Sequence, residues 1–332
     1  MRRSRQESMK HKKTPQRSLL GWFDKYGTIL AFGLTVLFFS IVSPYFRSGE
    51  NFVNLGMQTS FLLVSGLGLT LVALTGEIDL SLGGLIGLGN ALFAGLLKAG
   101  YPVHICISAS VGACLLFGIT TGLLVAYRRL SSFVVTVAMM FLAMGFERYY
   151  SGGFSIWIRD PKVLAFASGS IGPVPNVVLV AAIVAIVMYI IINQTRTGMH
   201  VQAVGQNAET ARSVGISVKR IKLCSFIAAS LFYAIAGILV SLRSSGTIVY
   251  AGQALLLPTM AVTFVSQTVL GARRPNVFGV LVGALILGAI HSAFTLLNIK
   301  FYYVPIAQGL LLVIAAALSA ANRREIPQDI LA

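Results

Sequence analysis

The sequence predicts an all-α polytopic membrane protein with about ten transmembrane helices. Three observations carry this. Of 332 residues, 56% are hydrophobic and only 11% are charged, against about 25% charged in an ordinary soluble domain. The mean hydropathy is +0.82. Apolar runs of span length recur along the chain between short basic or polar breaks, and crossing a bilayer takes about 20 mostly apolar residues. So few polar residues cannot cover that much apolar surface in water, which excludes a soluble enzyme; the same numbers exclude a disordered chain. Cys106, Cys114 and Cys224 lie in or beside apolar runs with no metal-ligand spacing, so neither a disulfide framework nor a zinc site is expected.

Residues 1–26 form a basic tail holding eight of the 26 Lys and Arg, from Arg2 to Lys25. A secretory signal is not expected, because no small-residue cleavage site follows the long basic region. The transmembrane domain covers 27–321. Its first spans are read at 27–43 and 56–75, and a glycine-rich third at 81–97. Spans at 102–127 and 131–149 flank Arg128 and Arg129. Gly, Pro and Trp in 150–173 predict a long outer loop lying at the membrane interface. The sixth span, 174–193, leads to a polar stretch at 194–221, and the last four runs are 222–242, 254–271, 276–298 and 302–321. A short tail, 322–332, closes the chain.

A net charge of +16 invites a nucleic-acid reading, but no aromatic-basic module accompanies it, so no nucleic-acid partner is expected. The cations sit between spans instead. With the N-terminus inside, alternation places 19 of the 26 Lys and Arg on the cytoplasmic side, as the positive-inside rule requires. Ten spans with both termini cytoplasmic follow; one span more or fewer would expose two basic clusters. Val111–Gly118 resembles Val282–Gly288 at an offset of about half the chain. Spans 2–5 and 7–10 then run in opposite senses, the inverted repeat of many transporters.

Within 194–221, Asn207 is a good N-cap and Glu209 lies in the first turn, where the helix dipole favours an acid. Ala208, Ala211 and Arg212 share one face, Gly215 stops the helix, and Gly205 permits a tight turn before it. A short helix is expected on the cytoplasmic surface, with exposed Ala208 and Ala211 letting another protein approach closely.

These residues carry a resemblance. Thr197-Gly198, Ala203-Val204-Gly205-Gln206-Asn207, Ala211-Arg212, Gly215-Ile216 and Val218 resemble the cytoplasmic signature of ABC importer permeases of the ribose, galactose and xylose type. Gly76-Glu77-Ile78-Asp79-Leu80-Ser81-Leu82-Gly83 is similar to that family's GGIDLSVG, and Ser132–Thr136 with Gly152-Gly153 matches a third segment. The resemblance extends over most of the chain. It implies that the 197–218 segment is a coupling helix docking on a separate cytoplasmic ABC ATPase, with ATP and Mg bound there and no cofactor on this chain. It further implies an extracytoplasmic solute-binding protein, a second permease subunit with the pathway at the interface between them, and a bacterial inner membrane. One departure stands out. The family shows paired glycines near the end of the eighth span; this chain has Ser266-Gln267-Thr268-Val269-Leu270-Gly271-Ala272-Arg273-Arg274-Pro275, which leaves both a homodimer and a pair of different permeases open.

Polar groups inside spans are functional candidates by default. Glu77 and Asp79 either cap the third span or form a polar element at the inner gate. Asn90 and Gln267 are candidates for lining the pathway. Glu147 and Arg148 are expected in the headgroup region rather than as a buried pair, and His291 as a helix–helix hydrogen-bonder rather than a proton relay; Gln58 and Gln308 are further polar neutrals within spans. No Walker A motif or catalytic constellation occurs. Two other classes remain open: an ion-gradient-driven secondary transporter, and an integral-membrane enzyme or assembly factor.

Overall fold

The computed structural model describes residues 15–271, 274–300 and 302–324. Thirteen α-helices account for nearly all of it: α1 (Pro15–Val42), α2 (Gly49–Ala73), α3 (Leu82–Lys98), α4 (Val103–Ala126), α5 (Ser132–Ser151), α6 (Pro161–Ser168), α7 (Asn176–Gln194), α8 (Arg196–Gln206), α9 (Ala208–Ser213), α10 (Val218–Ser244), α11 (Ala251–Ser266), α12 (Val277–Leu296) and α13 (Tyr303–Arg324). Six of these are long and apolar enough to cross a bilayer, and four shorter apolar stretches, in α1, α3, α11 and α13, bring the apolar helices to ten. All ten coincide with the runs read from sequence. Both ends of the chain, residues 1–14 and 325–332, lie outside the described residues.

The helices pack as two related halves. α3 packs on α4 and α5; likewise α11 packs on α12 and α13. α10 packs on α3 and α4, and α2 on their counterparts α11 and α12. The pairs α2–α10 and α3–α11 meet at the centre. Exchanging spans 2–5 with 7–10 therefore maps one set of neighbours onto the other, the pattern of a two-fold repeat. Tyr233, Phe93, Phe226 and Leu67 fill the core between these central helices.

α3 and α11 are short, at 17 and 16 residues. At about 1.5 Å per residue each falls short of a hydrocarbon core of about 30 Å. Irregular stretches, 74–81 and 245–250, lead into them. The backbone of Gly252 closes on the Gly83 carbonyl and the Gly87 amide, so the opening turns of the two helices meet. Broken segments at matching places in both halves are typical of transporters.

Two connectors differ from expectation. The stretch 150–173 is more than a surface loop. It carries α6, capped by Asp160 Oδ1, which accepts from the Lys162 and Val163 amides at 2.8 and 3.3 Å. It also straps onto the α10–α11 connector: Ile158 N donates to Ser245 O at 2.9 Å, and Ile156 N to Thr247 Oγ1 at 2.7 Å. Ile156 and Ile158 are buried, an apolar anchor for the strap. The stretch 194–221 folds into two short helices, α8 and α9, rather than one.

Candidate functional site

Among the described residues, three of the basic clusters read from sequence meet at one end of the bundle. Arg129, Arg212, Lys219 and Lys222 line one small pocket with Glu77. Arg274 Nη1 donates to Gln202 Oε1 of α8 at 3.3 Å. This basic end carries α8 and α9.

α9 forms where its sequence says it should. Asn207 Oδ1 accepts from the Glu209 and Thr210 amides, both at 2.9 Å, satisfying two of the free donors at a helix start. Gly215 ends it at φ +86°, the left-handed region, with open space around its α-carbon. Glu209 and Arg212 face solvent.

The small residues act differently from the sequence reading. Ala211 is only 3% exposed and clusters with Val204 and Val218, with half-buried Ala208 beside it. They pack α9 onto its own protein and do not form an exposed contact face. An alanine face permits close approach whatever the partner; here the partner is the start of α10 and the end of α8. Gly205 is likewise not in a turn. It lies within α8, and a β-carbon there would run into the Leu74 carbonyl at the end of α2. The outward face belongs instead to residues the sequence reading passed over. Met199 and Val214 are 61% and 71% exposed; with Gln206, Asn207 and Thr210 they line a shallow pocket of about 350 Å³.

Glu77 and Asp79 tie this end to the core. Glu77 forms an ion pair with Lys222 near the start of α10. Asp79 is buried: its Oδ1 accepts from Ser81 N and Oγ at 2.9 and 2.6 Å, and its Oδ2 from Tyr233 OH at 3.1 Å. The connector before α3 is thereby fixed to α10 at two points.

Asn90 of α3 is buried against α10, its Oδ1 accepting from Ser241 Oγ at 2.6 Å, while its Nδ2 has no partner among the described residues. Gln267, just past α11, is buried too. These two candidates do not come together. Gln58, His291 and Gln308 do: with Gln253 they reach a cleft of about 1020 Å³ between α2, α11, α12 and α13. Gln253 is missed by the sequence reading; its signal is a polar residue in the first turn of a broken span.

Glu147 departs from its expected place. It is 6% exposed, with its carboxylate against Gly87 of α3, whereas Arg148 points outward with its guanidinium 4.9 Å over the Tyr250 ring. Successive helical residues point about 100° apart, so only one of the pair faces outward. Among the described residues no cluster of His, Cys, Asp or Glu is placed to hold a metal.

Comparison with known proteins places this architecture. Residues 51–316 match the model of a family described as branched-chain amino acid transport system / permease component. The ribose import permease of Escherichia coli K12 is 29% identical over 298 residues, covering 89% of this chain and 93% of its own. That of Bacillus subtilis 168 is 31% identical over 302 residues, covering 90% and 93%. The D-allose transport permease of E. coli K12 is 28% identical over 319 residues, covering 95% and 97%. No solved structure matches the chain. The ten apolar helices, their paired packing and these matches over about nine-tenths of the length together establish that the chain belongs to the ABC importer permease family, as a multi-pass, non-catalytic transporter component.

Proposed function

We propose that this chain carries a monosaccharide-like solute across a bacterial inner membrane into the cytoplasm, driven by ATP hydrolysed on a separate cytoplasmic ATPase that holds the ATP and Mg. One observation carries the reading: α8 and α9 form a platform fixed to the spans through Gly205 and Ala211, with Met199 and Val214 exposed on its outer face. Apolar side chains on a polar surface mark a contact surface. A platform wedged on the end of α2 and the start of α10 passes its displacement to the two central helices. The positive-inside rule puts this basic end, and both termini, in the cytoplasm. An extracytoplasmic binding protein delivers the solute to the opposite end, and a second permease, identical or different, completes the membrane unit. Asn90, whose buried Nδ2 has no partner among the described residues, and Gln267 are the proposed residues along the pathway between the two permeases. The names of the relatives, which import ribose and allose, support the solute class.

Affinity purification of the tagged chain from its native membrane tests this. It should recover an ATPase with Walker motifs and a binding protein holding a sugar. An amino acid in that binding protein overturns the solute class. Recovery without any ATPase overturns the importer reading.

A further inference from the structure

Four cations from three parts of the chain meet in one pocket at the basic end. Arg129 comes from the turn between α4 and α5, Arg212 from α9, and Lys219 and Lys222 from the first turns of α10. Among the described residues Glu77 is the one acid in the lining, and it is committed to Lys222. Arg129, Arg212 and Lys219 form no ion pair with a carboxylate among those residues. We propose that this pocket binds the phosphate headgroup of an anionic phospholipid from the cytoplasmic leaflet. Its lining shares no residue with the shallow pocket on the outer face of the α8–α9 platform.

The positive-inside rule accounts for cations in a cytoplasmic loop, but it counts charges and is indifferent to where they point. The local geometry is more particular. Arg129 holds φ +58°, a left-handed conformation usually given to Gly or Asn. It sits in the turn that closes α4, where Arg128 N donates to Leu123 O at 3.3 Å and Leu130 N to Leu124 O at 3.2 Å. Arg128 already supplies the loop with a charge and complements the negative end of the α4 dipole. The strained position adds a second guanidinium, and that one lines the pocket. Lys219 Nζ lies 5.5 Å from the centroid of the Tyr127 ring, which holds its charge toward the same turn. Both α5 and α10 begin at the rim with no side-chain cap and no acid in the first turn, so no side chain of the first turn offsets their positive ends.

Depth selects a lipid over a free ion. α4 ends here and α5 and α10 begin, so the pocket lies where three spans leave the bilayer. Tyr127 is 44% exposed and stands at the headgroup level, as interfacial aromatics do. Val125, Ala126 and Leu130 give the pocket an apolar side. Phe133 and Val134, on the first turn of α5, are exposed and extend that surface for acyl chains. A volume of about 260 Å³ suits a headgroup whose chains remain outside. Basic pockets between spans on the cytoplasmic side are suited to such headgroups, and a guanidinium can hold two phosphate oxygens at once. Free phosphate would gain from the cations and nothing from the apolar side. A bound headgroup also bridges α9 to the α4–α5 turn, because Ala208 and Arg212 share the pocket with Arg129 and Leu130.

The test uses the full chain purified in detergent, with phosphatidylglycerol and phosphatidylcholine of the same acyl chains as probes and native mass spectrometry as the readout. The wild-type chain should retain phosphatidylglycerol in preference to phosphatidylcholine; equal retention overturns the site. The double change Arg129→Asn and Lys219→Gln, in which Asn accepts the left-handed backbone, should cut phosphatidylglycerol retention at least tenfold. Arg128→Asn with Arg220→Gln removes the same charge from the same segments but outside the lining, and should leave retention unchanged. An equal loss in both double variants means general attraction and overturns the pocket. Inorganic phosphate at the lipid's concentration should not displace the lipid; displacement makes this a free-anion site and overturns the lipid assignment. Wild-type lipid retention in the first variant with lowered recovery of the ATPase in pull-down assigns the cations to the ATPase and overturns the proposal as well.

Discussion

Gly215 holds φ +86° with nothing near its α-carbon, so the constraint there is backbone conformation and not space. Gly215→Val should cost about 1–3 kcal/mol locally and loosen the turn between α9 and α10. Membrane insertion is expected to stay normal, because no span is touched, while ATP-driven uptake falls; wild-type uptake would show that the turn does not matter. Asp79 carries a different kind of constraint. It satisfies Ser81 and Tyr233 at once in a buried connector. Asp79→Leu leaves those donors unpaired and should destabilise by about 2–4 kcal/mol, whereas Asp79→Asn keeps an acceptor and should cost less. Melting of the detergent-solubilised variants separates the two; equal losses would mean that charge, not hydrogen bonding, is what matters. Local chemistry of this sort was legible in the sequence. An Asn cap and a terminating Gly depend on neighbours within a few residues. The inward face of Ala211 was not, because what covers an alanine is decided by residues distant in sequence, here Val204 and Val218.

At the scale of elements, the platform of α8 and α9 divides into an inner face that fixes it and an outer face left free. Ala211→Trp, which the sequence alone suggests as a probe of partner docking, would instead push α9 off its own protein, since Ala211 is buried. The outer face is probed better through Met199→Asp and Val214→Asp. Each places a charge on an exposed apolar contact, and together they should reduce ATPase recovery in pull-down at least tenfold without changing expression. Undiminished recovery would move the docking surface elsewhere. The ten apolar helices were legible because each run of about 20 residues states its own secondary structure. The strap of 150–173 onto the α10–α11 connector was not, since its bonds join Ile156 and Ile158 to residues near 246. The pairing of Glu77 with Lys222 was hidden for the same reason. The partners lie 145 residues apart, and only the packed fold brings them together.

For the whole molecule, the two-fold exchange of spans 2–5 with 7–10 gives a scaffold whose broken helices, α3 and α11, meet by their opening turns. One end holds Arg129, Arg212, Lys219, Lys222 and Arg274 with the short-helix platform; the other bears the strap. Weak sequence similarity between the halves hinted at the repeat, and packing makes it plain, because neighbour relations persist after side chains diverge. Reporter fusions after Arg129, Lys222 and Arg274 should all report the cytoplasm, and one within 155–165 the outside. A single reversal among the first three would invert the assignment of ends. The central claim is that the chain works as a passive conduit driven by an ATPase docked on α8 and α9. Reconstitution in liposomes tests it most directly, by following labelled ribose and allose with the purified chain alone under a proton or sodium gradient, and then with its ATPase and binding protein plus ATP. The account predicts no uptake by the chain alone and ATP-dependent uptake by the complex; gradient-driven uptake by the chain alone would contradict it.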